Sequence, residues 1–344
     1  MKAIVYSRTG DPSVLELADR EVAEPGPGEV RIRVAVSGVN PTDWKSRRGA
    51  GAGGDLPFAE VTPNQDGAGT VDALGAEVAE LAPTLAVGDR VWTFLSANER
   101  PTGTAQEYVV LPVERVVALP DGASFDVGAS LGVPAMTAHR ALTVAEGGPS
   151  RLAPGALAGR TVLVAGGAGA VGHAAIQLAR WAGATVVSTV SGAEKATLAV
   201  AAGAQHTVNY RDEDAADQIL AVAPDGVDIV VELAPGPNAE LDLAVLANHG
   251  TVAVYANDGG ADVTLPVVPH FAKNIRYQFL LLYTVGDDAL ALAAEAITDA
   301  LRDGELAVGE AAGLRLHRYP LAETADAHAA VEASVVGKVL IDVG

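Results

Sequence analysis

Midway along the chain, Val162-Leu163-Val164-Ala165 runs into Gly166-Gly167-Ala168-Gly169-Ala170-Val171-Gly172 and then into a stretch with helical periodicity. Gly167, Gly169 and Gly172 fit the spacing G-x-G-x-x-G. In a chain with 38 glycines the spacing alone means little. Its place between a strand and a helix gives it force, because such a turn works only inside a βαβ unit. Gly167 permits a tight turn, Gly169 lets the backbone approach a pyrophosphate, and Gly172 lets the helix pack close to the strand. The helix that starts through Ala170 and Val171 offers unpaired N–H groups and the positive end of its dipole to an anion. The segment therefore predicts a dinucleotide site on a doubly wound sheet.

The surrounding rhythm agrees. Residues 125–142 read as a helix, 161–165 as a strand, 171–182 as a helix and 185–190 as a strand. Residues 194–202 read as helical, 206–210 as extended, 214–223 as helical and 227–233 as a strand, and 238–246, 251–255 and 274–283 continue the alternation. Alternating β and α predicts a parallel sheet with helices on both faces. Gly183 and Gly203 fall where a left-handed residue ends a helix. A helix at 288–303 and a strand at 338–343 follow. The first third differs. Residues 29–36 alternate, with Val30, Ile32, Val34 and Val36 on one face, and short strands recur at 91–94, 108–111 and 115–119 between glycine turns. That pattern predicts a small barrel or sandwich. Residues 50–54 read as a flexible loop.

Composition narrows the function. The 344 residues suggest about two domains at roughly 150 each. With 43 acidic against 23 basic residues the net charge is −20, and there is no cysteine. Disulfides, thiolate nucleophiles and cysteine-ligated metals are excluded. Phosphate-backbone binding needs clustered Lys and Arg, so nucleic acid is not expected as a partner. A basic membrane-surface helix is not expected either. The apolar run 279–285 is too short for a span of about 20 residues, and the N-terminal residues read as a strand rather than a signal peptide. A soluble, cytoplasmic protein is expected.

The choice of dinucleotide follows from what is missing. An acid about 20 residues after the first glycine would hold the ribose 2′-hydroxyl of NAD. That place ends in Val190-Ser191 and carries no acid. Ser191 is small and polar, Lys195 follows, and Tyr210 ends the next strand. A lysine meets a 2′-phosphate as a point charge, so NADPH is expected, although Lys195 equally fits a solvated helix residue. Leu233 and Tyr255 follow the fourth and fifth strands of the alternating region, at the carboxyl ends where ligands lie in such sheets; Tyr255 equally fits packing. The string Gly128-Ala129-Ser130-Leu131-Gly132 matches a hydrolase nucleophile motif, but that motif needs a strand before the serine, and here it lies inside the helix expected from 125.

Taken with Pro25-Gly26-Pro27-Gly28-Glu29-Val30, Gly38-Val39-Asn40-Pro41-Thr42-Asp43, Asp66-Gly67-Ala68-Gly69-Thr70-Val71, Val87-Gly88-Asp89-Arg90-Val91, Thr137-Ala138 and Gly337-Lys338-Val339, the chain resembles the medium-chain dehydrogenase/reductase superfamily. Within it, the chain resembles the zinc-independent quinone oxidoreductase (zeta-crystallin-like) branch. The resemblance implies an α/β architecture: a GroES-like β-barrel catalytic domain built from 1–124 and 285–344, with a Rossmann NADPH-binding domain, a doubly wound parallel sheet, at 125–284. It implies a cofactor lying in the cleft and a homodimer formed through the strand at 279–283.

The branch rests on replacements. Zinc alcohol dehydrogenases of the superfamily carry a cysteine where Asn40 sits, a His-Glu pair where Gln65-Asp66 sits, and a four-cysteine lobe for which 96–104 is too short. The seven histidines show no close pair at metal-ligand spacing. Without a metal, NADPH can still deliver hydride to an electron-poor acceptor, such as a quinone or an α,β-unsaturated carbonyl. By resemblance Asn40 lies beside the nicotinamide, Asp43 near the substrate, and Thr137 on the cofactor. Asp43 equally fits a helix N-terminal residue that satisfies backbone donors. The family often has a tyrosine where Lys45 stands. Lys45 could polarise a carbonyl, or it is a solvated lysine beside Arg47 and Arg48. Where relatives place an arginine for the 2′-phosphate this chain has Glu332-Ala333-Ser334, which leaves Lys195 and Tyr210, with Arg211, for that contact. Three functions compete: quinone reduction, 2-enoyl or alkenal reduction, and NADPH binding without catalysis.

Overall fold

The computed structural model describes residues 1–50 and 56–344, so the loop expected at 50–54 lies, apart from Ala50, outside the described residues. The chain forms two compact units: Met1–Val133 joined by Arg315–Gly344, and Pro134–Leu314. The second crossing falls at 314/315 rather than near 285. The reason is the helix Asp287–Arg302, which buries Ala293, Ala296, Ile297, Ala300 and Leu301. The Trp181 indole N–H donates to Asp303 just past its end, at 2.8 Å, so the helix is tied to the middle unit.

The middle unit is built on six parallel strands. Their order is His206–Asn209, Thr185–Val190, Thr161–Ala165, Val227–Glu232, Leu246–Val254, Arg276–Phe279. In chain order this is 3-2-1-4-5-6, the doubly wound arrangement, whose order reverses between the first and fourth strands. Val162, Val164, Val186, Val187, Val230 and Val231 are fully buried, as central parallel strands covered on both faces must be. The sixth strand is an edge. It ends at Phe279, short of the expected 283, and a 3-10 turn at Leu282–Thr284 follows. Phe279 and Leu281 are 59% and 58% exposed, so the apolar run is a surface feature.

The other unit is mostly antiparallel. The long strand Glu29–Val39 pairs with Asp66–Leu74, Tyr108–Pro112 and Lys338–Asp342. Arg90–Thr93 and Val116–Ala118 extend one side and Leu316–Pro320 the other. Val30, Ile32, Val34 and Val36 are buried as the alternation predicts, and the core is completed by Val109, Leu111, Val339 and Ile341.

The helix expected over 125–142 is two helices, Phe125–Gly128 and Gly132–Leu142. The break follows from Asp66. Its Oδ1 accepts the Val133 N–H at 2.8 Å, so a carboxylate supplies the start of the second helix. A Cβ at Gly132 would collide with that carboxylate. The Ser130 hydroxyl donates to the Asp126 carbonyl at 2.7 Å, a helix back-bond and not a nucleophile elbow. Among the described residues no helix is long and apolar enough to cross a membrane.

Candidate functional site

The glycine turn sits at the end of the first parallel strand, beside the point where strand order reverses. Its backbone differs in detail from the sequence reading. The left-handed residue is Gly166, with φ +68°, and a Cβ there would press on Leu233 Cδ2 at 2.9 Å. Gly167 is needed for a different reason: a Cβ would collide with Ser188 Oγ and meet Ile176 Cδ1 at 2.7 Å. Gly169 precedes the helix Ala170–Trp181, and the nearest atom to a Cβ there is 3.4 Å away. Gly172 touches the turn itself, since a Cβ would run into the Gly166 carbonyl. Three glycines thus close the turn and press the helix on the strand, while Gly169 leaves open room before the free N–H groups of Ala170 and Val171.

The residues expected at the adenosine end lie at the ends of the second and third strands. Arg211 links them: its Nη1 donates to the Ser191 carbonyl at 3.4 Å, and its guanidinium lies 5.6 Å from the centre of the Tyr210 ring. Lys195 stands in the first turn of Ala193–Ala202, four residues after Ser191, half-buried and without an ion pair to a described residue. Lys195 and Arg211 thus stand in the segments that follow these two strands, with no acid at the position NAD would use. Thr137 is buried on the helix Gly132–Leu142. Leu233 packs on the turn, and the half-buried Tyr255 has its N–H bonded to the Glu232 carbonyl at 2.9 Å.

Beneath Leu233 lies a pair that the sequence reading missed. Glu232 and Asp242 are both buried, and each carboxyl is raised, by burial first. Burial and the Glu232 charge push the Asp242 carboxyl well up, while Asn238 Nδ2 and the Ala234 N–H bind Glu232. An acid closing the apolar run Ile229-Val230-Val231 was the available signal.

In the antiparallel unit, Asn40, Asp43, Asp66 and Lys338 converge, all 3% exposed or less. Asn40 Nδ2 donates to Asp66 Oδ2 at 2.7 Å, and Lys338 Nζ donates to Asn40 Oδ1 at 2.7 Å and lies 3.4 Å from Asp66 Oδ2. Asp43 accepts the Asn40 N–H at 2.7 Å and the Gln65 N–H at 3.1 Å, so it satisfies backbone donors at the start of Pro41–Arg47. Burial first, then the Asp66 charge, pushes Asp43 up to about 8. Lys338 opens the apolar strand Lys338–Asp342, and the motif Gly337-Lys338-Val339 by itself assigns it no role. A fully buried ammonium needs a partner, and that was the signal for it.

Lys45 does not join this centre; its ammonium lies 5.8 Å over the Trp44 ring. Arg47 is buried rather than solvated and pairs with Glu332 at 2.6 Å, as Arg48 also does. Glu332 therefore belongs to that ion pair. Asp43 also lines a cavity of about 170 Å³ within the same unit, walled by Leu56, Phe58 and Val61.

A parallel 3-2-1-4-5-6 sheet with a glycine cradle, joined to an antiparallel unit built from both ends of the chain, defines a nucleotide-dependent dehydrogenase of the medium-chain type. The family profile described as alcohol dehydrogenase GroES-like domain matches residues 26–121, and the one described as zinc-binding dehydrogenase matches residues 170–298. Human quinone oxidoreductase is 30% identical over 334 residues, covering 95% of this chain and 93% of the relative. Among solved structures, an NAD-dependent alcohol dehydrogenase is 28% identical with a TM-score of 0.83 and full coverage of both chains. A mycobacterial protein complexed with NADPH is 29% identical, TM-score 0.81, over 99% of each. The chain belongs to the quinone oxidoreductase family of the medium-chain dehydrogenase/reductase superfamily.

The second profile's name raises the question of zinc. By the family resemblance, the positions of the metal ligands in zinc-dependent relatives are held here by two amides and one carboxylate, Asn40, Gln65 and Asp66. Asn40 and Asp66 are already engaged by the Lys338 ammonium. Among the described residues no group of three His, Cys, Asp or Glu could hold a metal ion. This donor set does not fit zinc, which takes three such ligands.

Proposed function

We propose that this protein is an NADPH-dependent reductase that passes hydride to a quinone or a similar electron-poor carbonyl without a metal. The observation that carries the reading is the glycine cradle with Lys195, Tyr210 and Arg211 gathered at the ends of the next two strands. The cradle faces a pyrophosphate with backbone N–H groups, and Lys195 and Arg211 face a 2′-phosphate. Gly167, Gly169, Ala170, Val171 and Gly172 form the cradle, Ser191 belongs to the adenosine end, and Leu233, Tyr255 and Thr137 line the nicotinamide side.

NADPH, when bound, supplies the hydride. The net reaction takes up one proton and yields NADP⁺ and the hydroquinone. Hydride transfer places charge on the acceptor oxygen, and the chain must meet that charge with preorganised donors. Asp43, whose carboxyl burial pushes up to about 8, borders a cavity and is the group we place there. Asn40 is held on both sides by Lys338 and Asp66, which fixes the backbone that Asp43 caps. Lys45, over Trp44, is left to attract the acceptor.

Quinone-dependent oxidation of NADPH across a panel of small quinones tests the reading. Turnover is expected; tight NADPH binding with no turnover of any quinone overturns it and leaves a non-catalytic NADPH-binding protein. Lys45, standing where relatives have tyrosine, favours a second reading, 2-enoyl or alkenal reduction. A saturated carbonyl product from an enone, with quinones inert, would establish it. We also propose a cytoplasmic homodimer joined along the exposed edge strand Arg276–Phe279.

A further inference from the structure

Tyr6 lies in the antiparallel unit, 5% exposed, on the wall of the cavity that Asp43 borders. Its backbone pairs with Val61 in both directions at 2.9 Å. Its hydroxyl makes no hydrogen bond to any described residue. The hydroxyl is not sealed in the protein interior but opens on the cavity, where an occupant can reach it. Arg100 lines the same cavity. Its Nη2 donates to Glu29 Oε1 at 2.7 Å, yet its Nε is buried with no partner. The rest of the wall is mixed: Leu56, Phe58, Val61 and Pro63 form an apolar side, and Asp43, Ser46, Asn64 and Gln65 a polar one.

We propose that this cavity is the acceptor site and that Tyr6 is the donor to a carbonyl oxygen of a single-ring quinone. The proposal rests on the function proposed above and specifies its substrate class. Three features of the cavity set that class. The apolar side suits a flat conjugated body. The unpartnered Tyr6 hydroxyl can donate to a carbonyl oxygen. The volume, about 170 Å³, lies below the range of about 300 Å³ upward that drug-sized ligands occupy, which favours one ring over fused or prenylated quinones. Burial first, then the charge of Asp43, pushes the Tyr6 phenol up to about 12, so it stays a donor across the working pH range.

Tyr6→Phe is the deciding variant. It removes a hydroxyl that binds nothing in the protein, so folding is preserved or improved. We expect kcat/KM for 1,4-benzoquinone to fall about 10- to 30-fold, with the larger part in kcat because the bond strengthens as charge builds on the oxygen. NADPH affinity should be unchanged. Leu56→Trp, which fills the cavity, should raise KM for the quinone and leave NADPH affinity alone. Wild-type turnover with unaltered kinetics in Tyr6→Phe overturns the site assignment while the proposed function stands. If no quinone is turned over, the proposed function fails. The site is then judged by calorimetry with 1,4-cyclohexanedione, a non-reducible diketone. Binding that weakens at least fivefold in Tyr6→Phe upholds the site, and equal or absent binding overturns it.

Discussion

In the nucleotide-fold unit the cradle is made by residues 166–172, seven consecutive positions, whereas the polar centre of the antiparallel unit draws Asn40, Asp43, Asp66 and Lys338 from opposite ends of the chain. The first needs backbone shape. At Gly166, Gly167 and Gly172 a Cβ has nowhere to go, and the helix dipole supplies the field. The second needs charge balance. Two buried carboxyls and one buried ammonium must be matched by hydrogen bonds, because low dielectric punishes any charge left alone. A local site built on shape is written as a motif, and a non-local site built on charge is written as scattered single residues.

The sharpest way to break this contrast is Lys338→Met. It leaves Asp66 and Asn40 buried without their cation, and removing one member of a buried pair costs about 3–5 kcal/mol. Denaturant unfolding should show that loss. A change below about 1 kcal/mol would mean that the centre is held by packing and not by charge. Lys195→Ala probes the other unit. NADPH affinity should fall about tenfold, close to 1.4 kcal/mol, with NADH affinity unchanged; equal losses would remove the 2′-phosphate from Lys195. The smallest effect belongs to the carboxyl pair. Asp242 has its folded pKa raised, so the stability it contributes is complete below the ordinary carboxyl range and is lost as pH rises through the raised value. Asp43 acts in the same direction, between the usual range and about 8. Asp242→Asn should therefore flatten the decline of Tm as pH rises above the ordinary carboxyl range. An unchanged slope would show that Asp242 does not titrate differently in the folded protein.

Legibility followed the same divide. The alternation of strand and helix from Thr161 onward and the valine face of Glu29–Val39 could be read because each is set by neighbours two to four positions away. The break at Ala129–Leu131 could not, because it is imposed by Asp66, more than sixty residues earlier. Nor could the end of the strand at Phe279, where apolar residues serve an exposed edge instead of a core. Asp43 was read both as a cap and as a group near substrate; the backbone bonds from Asn40 and Gln65 supply the cap, and its raised pKa keeps the other role available. Lys338, Tyr6 and Arg100 carried no pattern, since what marks each is a partner found, or missing, far along the chain.

A cation that is part of the polypeptide cannot dissociate. The amine that faces Asn40 and Asp66 through Lys338 is delivered with synthesis, at one equivalent in every copy, so no chelator, competing ion or metal-poor medium alters how much of it is in place.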